Sequence, residues 1–247
     1  MRLINKEKNF IFVLLVTLSF LQISGCSQAK FIKQTRLIMN TIVTIEADAP
    51  VRVVEEAFNE MKRIDSLMNE FNPESEVSLL NQKGEIEVSP ETKEVIQRAI
   101  EFSEITKGTF DITCRPICSL WRKAGKEDKI PTEKELSGAL SLAGYRGIII
   151  NGNRVKFSQK GMQITLGGIA KGYAVDRAIQ VLRKRGVTQA LVNAGGDMYC
   201  LGERPKKQTL REKIQQFFFS RGSKEEKWKI GIQDPRNNKI IGIIKVK

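Results

Sequence analysis

Apolar positions at 54, 57, 58, 61, 64, 67, 68 and 71 form one stripe on a 3.6-residue repeat, which predicts a long amphipathic helix over residues 51–71, stopped by Asn72-Pro73. Residues 37–45 (LIMNTIVTI) are rich in β-branched side chains and predict the first strand, after a short lead-in at 30–36. Residues 78–81 read as a short apolar turn. Ser89-Pro90 predicts the cap and first position of a second helix, closed by Lys107-Gly108. Thr132-Glu133-Lys134-Glu135 is a capping box for a third, short helix ending at Gly144. Residues 147–150 and 154–157 around Asn151-Gly152 predict a β-hairpin. A strand at 162–166 and a helix at 169–185, ended by Gly186, follow. Strands at 190–193 and 198–201 flank Ala194-Gly195-Gly196-Asp197, and 228–232 with 239–246 predict a closing antiparallel pair. Hairpins mixed with helices and no internal repeat predict an α+β fold.

The N-terminus departs from this pattern. A basic start (Arg2, Lys6, Lys8), an uncharged and largely apolar run over 9–23, and small residues before a cysteine make a secretory signal. Ile23-Ser24-Gly25-Cys26 has the form cut by the lipoprotein signal peptidase, which leaves a diacylated Cys26. The apolar run is shorter than the ~20 residues a transmembrane helix needs. The expected organisation is a lipoprotein signal peptide over 1–25, a lipid-anchored tether over 26–36, and one folded domain over 37–247. Removing the signal takes away three positive charges and one negative, lowering the formal net charge from +13 to +11. A basic surface suits lipid headgroups or phosphates; nucleic acid is not expected as the partner of a secreted lipoprotein. Much of the excess sits in 206–229, a lysine-rich stretch that reads as an insertion and contains Phe217-Phe218-Phe219. Besides Cys26 the chain has Cys114, Cys118 and Cys200, an odd number that makes no disulfide framework, and they are expected to fill apolar positions. With no histidine, a site of cysteine and histidine ligands is excluded as the expected metal chemistry.

Three segments carry candidate chemistry. In TLGGIAKGYAVD (165–176) a strand, a diglycine and a helix start place Lys171 beside backbone N–H groups, a setting for an anion. It is neither a Walker A loop nor a dinucleotide fingerprint, so a tight strand-to-helix turn stands beside phosphate binding. GTFDIT (108–113) puts an aromatic and a carboxylate on a loop, either facing a ligand or as a packed Phe110 with Asp111 capping a turn. NAGGD (193–197) is a second diglycine, a tight turn or a ligand-facing loop.

Taken in order, MNEFNPESEVSLLN (68–81), KGTFDITCRPICSLW (107–121), the run from Ile164 to Gly202 and WKIGIQDP (228–235) resemble the FAD:protein FMN transferase (ApbE) family from Met39 onward. The resemblance implies an α+β, T-fold-like arrangement of antiparallel sheets with packed helices. It implies FAD as substrate, a divalent metal (magnesium), and transfer of FMN to a threonine or serine of an acceptor protein, such as a subunit of a membrane redox pump, with release of AMP. The metal would polarise phosphorus and stabilise the leaving AMP. Some members instead hydrolyse FAD. Matching the family motifs, Met39, Phe71, Thr109, Phe110, Asp111, Thr165 and Lys171 are expected at the flavin dinucleotide, and the Gly168 carbonyl at the metal. Thr165 stands where the family usually has Asp. Family members also continue past the strand that ends here, through a segment that completes the metal site, so a C-terminally truncated domain is expected. The implied place is the outer face of the inner membrane, anchored through Cys26. The readings set against a transferase are a flavin-binding or FAD-hydrolysing lipoprotein without transfer, and a basic surface lipoprotein without a ligand.

Overall fold

The computed structural model describes residues 31–205, 225–237 and 239–246. The signal segment, Cys26 and most of the lysine-rich stretch, with Phe217 to Phe219, lie outside the described residues.

The first sheet has four antiparallel strands in the order β1-β2-β6-β7: β1 (Phe31–Ile38), β2 (Thr41–Asp48), β6 (Ala190–Ala194) and β7 (Asp197–Leu201). Its inner face is built by alternation. Val43, Ile45 and Ala47 of β2 and Ala190, Val192 and Ala194 of β6 are all fully buried. Two long helices, α1 (Val51–Met68) and α6 (Ala170–Lys184), pack side by side and share this core. Phe58, Met61 and Ile64 of the one and Ala174, Ala178 and Leu182 of the other are fully buried, the small residues letting the helices approach closely. Between them in sequence come α2 (Glu76–Lys83), β3 (Glu85–Glu87), α3 (Pro90–Ile105), a 3-10 turn (Ile112–Cys114), α4 (Arg115–Glu127), α5 (Glu133–Leu140), β4 (Ile148–Asn151) and β5 (Arg154–Phe157). Strands β3, β5 and β4 make a second antiparallel sheet in that order. Two ribbons complete the described residues: β8 (Arg204–Pro205) with β9 (Glu225–Glu226), and β10 (Trp228–Gln233) with β11 (Ile240–Val246). Trp228 is buried, and its indole Nε1–H donates to the Gly202 carbonyl at 2.9 Å. The fold is α+β, with open antiparallel sheets and packed helices, as the sequence pattern predicts.

Several elements differ from expectation. The strand predicted over 37–45 is a hairpin: Met39 and Asn40 both take positive φ, 53° and 55°, and reverse the chain, so residues 31–36, expected as a lead-in and tether, form most of β1. Helix α1 stops at Met68, three residues early, because Asn69 turns to extended backbone, its side-chain Nδ2 donating back to Asp65 Oδ1 and its Oδ1 accepting from the Phe71 N–H. The apolar turn at 78–81 is the middle of α2, capped by the Ser75 hydroxyl and closed by Gly84 in the left-handed region. Helix α4 goes beyond the sequence reading: it carries an apolar stripe of Ile117, Leu120, Trp121 and Ala124, of which only Ala124 is buried. Residues 162–166 are extended but join no sheet. The Thr132 capping box and the Ser89-Pro90 start form as read, while the third predicted helix ends at Leu140 rather than Gly144.

Candidate functional site

Three segments that are distant in sequence meet at one cleft of about 100 Å³, lined in part by Met39, Phe71, Thr165 and Lys171. The first segment is the β1–β2 turn. The Met39 backbone N–H donates to Asp65 Oδ2 at 3.3 Å, which ties the turn to the last coil of α1. Behind it, the Gly195 N–H bonds the Ile42 carbonyl, and a Cβ at Gly195 would run into the Thr41 hydroxyl. The β6–β7 diglycine is therefore a tight turn that also supports the Met39 hairpin.

The second segment follows α1. The Ser75 hydroxyl donates to the Asn69 carbonyl at 2.7 Å and the Ser78 hydroxyl to the Glu70 carbonyl at 3.0 Å, so Glu70 and Phe71 sit on a braced loop. The Glu70 carboxylate accepts from Arg115 Nε at 2.8 Å and pairs with Arg122 at 3.5 Å. The Arg122 guanidinium lies 5.1 Å above the ring of Phe71, whose side chain is exposed.

The third segment is the diglycine corner, held from outside. Asn81 Nδ2 donates to the Ile164 carbonyl at 2.9 Å and its Oδ1 accepts from the Ile164 N–H at 2.7 Å; a side-chain amide replaces a neighbouring strand. The next N–H, of Thr165, bonds the Ile112 carbonyl at 2.8 Å. The Thr165 hydroxyl accepts from the Gly167 N–H at 3.3 Å, and α6 begins at Ala170 with no side-chain cap. Lys171 Nζ donates to the Gly167 carbonyl at 3.0 Å and lies 3.6 Å from Asp197 Oδ2. Thus TLGGIAKG and NAGGD, read separately in the sequence, converge on one ammonium group.

The GTFDIT residues stand behind the corner and do not line the cleft. Phe110 packs edge-on to Phe102 with centroids 6.5 Å apart, and a Cβ on Gly168 would come within 3.2 Å of its ring. Asp111 Oδ1 accepts from both the N–H and the hydroxyl of Thr113, and Oδ2 accepts from the Tyr145 N–H at 2.9 Å. That carboxylate closes a turn. The Thr109 N–H bonds the Thr106 carbonyl. Sequence reasoning missed Asp65, Asn69, Glu70 and the two arginines that hold Glu70; the polar residues Asn69, Glu70 and Asn72 around Phe71 were the signal for the loop, and nothing local marks Asp65 or the arginines.

A hard cation wants several oxygen ligands, carboxylates above all. Among the described residues no three of Asp, Glu, Cys and His gather as a metal site. Asp65 and Glu70 are committed to the partners just named, so beside the Gly168 carbonyl these residues do not fit a magnesium ion. A wider hollow of about 520 Å³ lies between α1 and α6, where Arg63 pairs with Glu60 and Arg185 with Glu56.

Comparison with known proteins gives one consistent result. The model of the ApbE family matches residues 39–247. A curated FAD:protein FMN transferase of Vibrio cholerae is 28% identical over 178 residues, covering 70% of this chain and 50% of the relative. One from Klebsiella pneumoniae is 31% identical over 151 residues, 59% of this chain and 48% of its own length. The chain spans about half the length of these relatives. The crystal structure of the ApbE protein of Thermotoga maritima superposes with a TM-score of 0.73 at 30% identity, covering 88% of this chain and 68% of that one. The Vibrio cholerae flavin transferase ApbE gives 0.71 at 23% identity, a likeness of fold, again with 88% of this chain and 69% of that one covered.

Proposed function

The chain belongs to the ApbE family, and from that premise we propose that it is a flavin transferase, taking FAD as substrate and passing FMN to a threonine or serine hydroxyl of an acceptor protein. The observation that supports this reading is the meeting of Met39, Phe71, Thr165 and Lys171 around one cleft. In this reading the acceptor oxygen attacks the phosphorus on the FMN side of the pyrophosphate. The bond to the AMP oxygen breaks, AMP leaves with the electron pair, and the hydroxyl proton is lost to solvent. The chain's own part is to bind and orient. Lys171 and the backbone of the Gly167 corner face the diphosphate, and the exposed Phe71 ring, backed by Arg122, offers a flat apolar surface to an aromatic ring system.

The test mixes the chain with FAD, magnesium and an acceptor domain bearing the target threonine. Flavin fluorescence that stays with the acceptor in a denaturing gel is the expected result. Release of AMP without labelling identifies a hydrolase, and bound FAD with no AMP identifies a flavin-binding protein without turnover. Replacing Lys171 by Ala is expected to weaken FAD binding about 10- to 100-fold, the loss of one charge-assisted contact of about 1.5–3 kcal/mol. The same proposal places the protein on the outer face of the inner membrane through lipid on Cys26, supported by the Ile23-Ser24-Gly25-Cys26 pattern. Incorporation of labelled palmitate, abolished by Cys26→Ala, is the expected outcome.

A further inference from the structure

We propose that Cys114 and Cys118 are a redox-active pair that closes into an intramolecular disulfide at the start of α4 when oxidised by a small-molecule disulfide such as glutathione disulfide. The two sulfurs lie 3.7 Å apart. The residues are four apart across a helix start, and a helix of 1.5 Å rise and 2.3 Å radius sets such Cα atoms about 6.2 Å apart. That falls within the 4.4–6.8 Å usual for disulfide-bonded residues, so a side-chain rotation closes the gap without rebuilding the backbone. Neither cysteine fills the core as the sequence reading expects: Cys118 is exposed and Cys114 half-buried.

Their surroundings divide the work. Burial, then the hydrogen bond shared with Cys118, push the Cys114 thiol up to about 11, so it stays protonated at neutral pH. The exposed Cys118 makes the first attack. Its thiolate displaces one glutathione thiolate and forms a mixed disulfide. Cys114, losing its proton, then attacks the Cys118 sulfur and expels the second glutathione. Two protein thiols and one glutathione disulfide become one protein disulfide and two glutathione thiols. Arg115 lies inside the ring so closed, and its guanidinium holds Glu70 on the cleft wall, so the bond forms next to the flavin cleft.

The sequence supplies a direct readout. Trypsin cuts after Lys107 and Arg122 but not at Arg115-Pro116, so one peptide, 108–122, carries both cysteines. After exposure of the purified chain to glutathione disulfide, that peptide is expected to lose two hydrogen masses and to resist alkylation until dithiothreitol is added. In Cys114→Ser the glutathione adduct on Cys118 is expected to persist, because nothing expels it. Cys118→Ser, a change at an exposed position, is expected to leave Cys114 without an adduct. Oxidation that leaves both cysteines of the parent chain open to alkylation would overturn the proposal. So would a parent chain that accumulates the mixed disulfide as Cys114→Ser does.

Discussion

Replacing Asn81 by Ala tests how the glycine corner is held. Asn81 bonds both the N–H and the C=O of Ile164, whose side chain is fully buried in a stretch that joins no sheet. Truncation strands one backbone donor and one acceptor, each costing roughly 1–3 kcal/mol when left unpaired away from water. Asn81 itself is half-buried, so some water reaches the gap, and about 2–4 kcal/mol is the expected loss. For a domain of this size each kcal/mol moves the melting midpoint by roughly 2–4 °C, so a drop of about 4–16 °C is expected in a circular-dichroism melt. Asn81→Asp sharpens the test. Its carboxylate still accepts from the Ile164 N–H but faces the Ile164 carbonyl with a lone pair, where protonation would restore a donor. The folded state of this variant thus favours the protonated acid and raises its pKa. The variant is therefore most stable below the unfolded carboxylate's pKa and loses stability as pH rises through the folded value. A melting midpoint for Asn81→Ala within about 2 °C of the parent would refute the reasoning and show that the corner is held by packing alone.

Gly195→Ala adds a left-handed strain of about 1–2 kcal/mol at φ 62° to an overpacking cost of about 1–3 kcal/mol against Thr41, and in a Thr41→Ala background denaturant unfolding should recover the second part only. Arg63 holds the Glu60 carboxyl below its ordinary 4.5, and Glu91 is held down by its own backbone N–H and then by Arg63. These lowered values stabilise the fold above about 4.5 and the benefit is lost as pH falls through them, so Arg63→Ala, costing about 0–1 kcal/mol at neutral pH, should flatten the loss of stability on acidification. Asp197→Asn removes the carboxylate 3.6 Å from Lys171 and, at about 0–1 kcal/mol for so exposed a pair, should tighten FAD binding up to about fivefold in a fluorescence titration. Weaker binding would show that Asp197 itself serves the ligand.

Elements with local instructions were legible in the sequence. The apolar stripe of α1, the Ser89 cap and the Thr132 capping box each act within a few residues of themselves, and each forms where read, α1 ending three residues short of its predicted end. The misread strand at 162–166 has a partner that lies far along the chain. Residues 162–166 have strand-like composition, but their hydrogen bonds go to Asn81 and to Ile112. Nothing in the local pattern marks an asparagine on a helix as a substitute strand. The hairpin at Met39 hides for a different reason. Methionine is a poor residue for positive φ, and the turn is held there by the Asp65 carboxylate from α1.

The site divides along the same line. Glycines and a lysine at a strand-to-helix corner are visible as a motif, but its electrostatics are not, because they are settled by contacts across the fold. The cleft wall carries Asp65 and Glu70, and Asp197 stands by Lys171, three carboxylates where the diphosphate of the proposed substrate would enter. Two are already engaged: Glu70 by Arg115 and Arg122, Asp65 by a backbone N–H and the Asn69 amide. Only the Lys171–Asp197 contact is both loose and exposed, so it is the pair an incoming phosphate can displace at little cost. The lysine that sequence reading singles out is therefore held in reserve. What it does for a ligand depends on a β-turn aspartate whose nearness only the packing of α6 against β7 reveals.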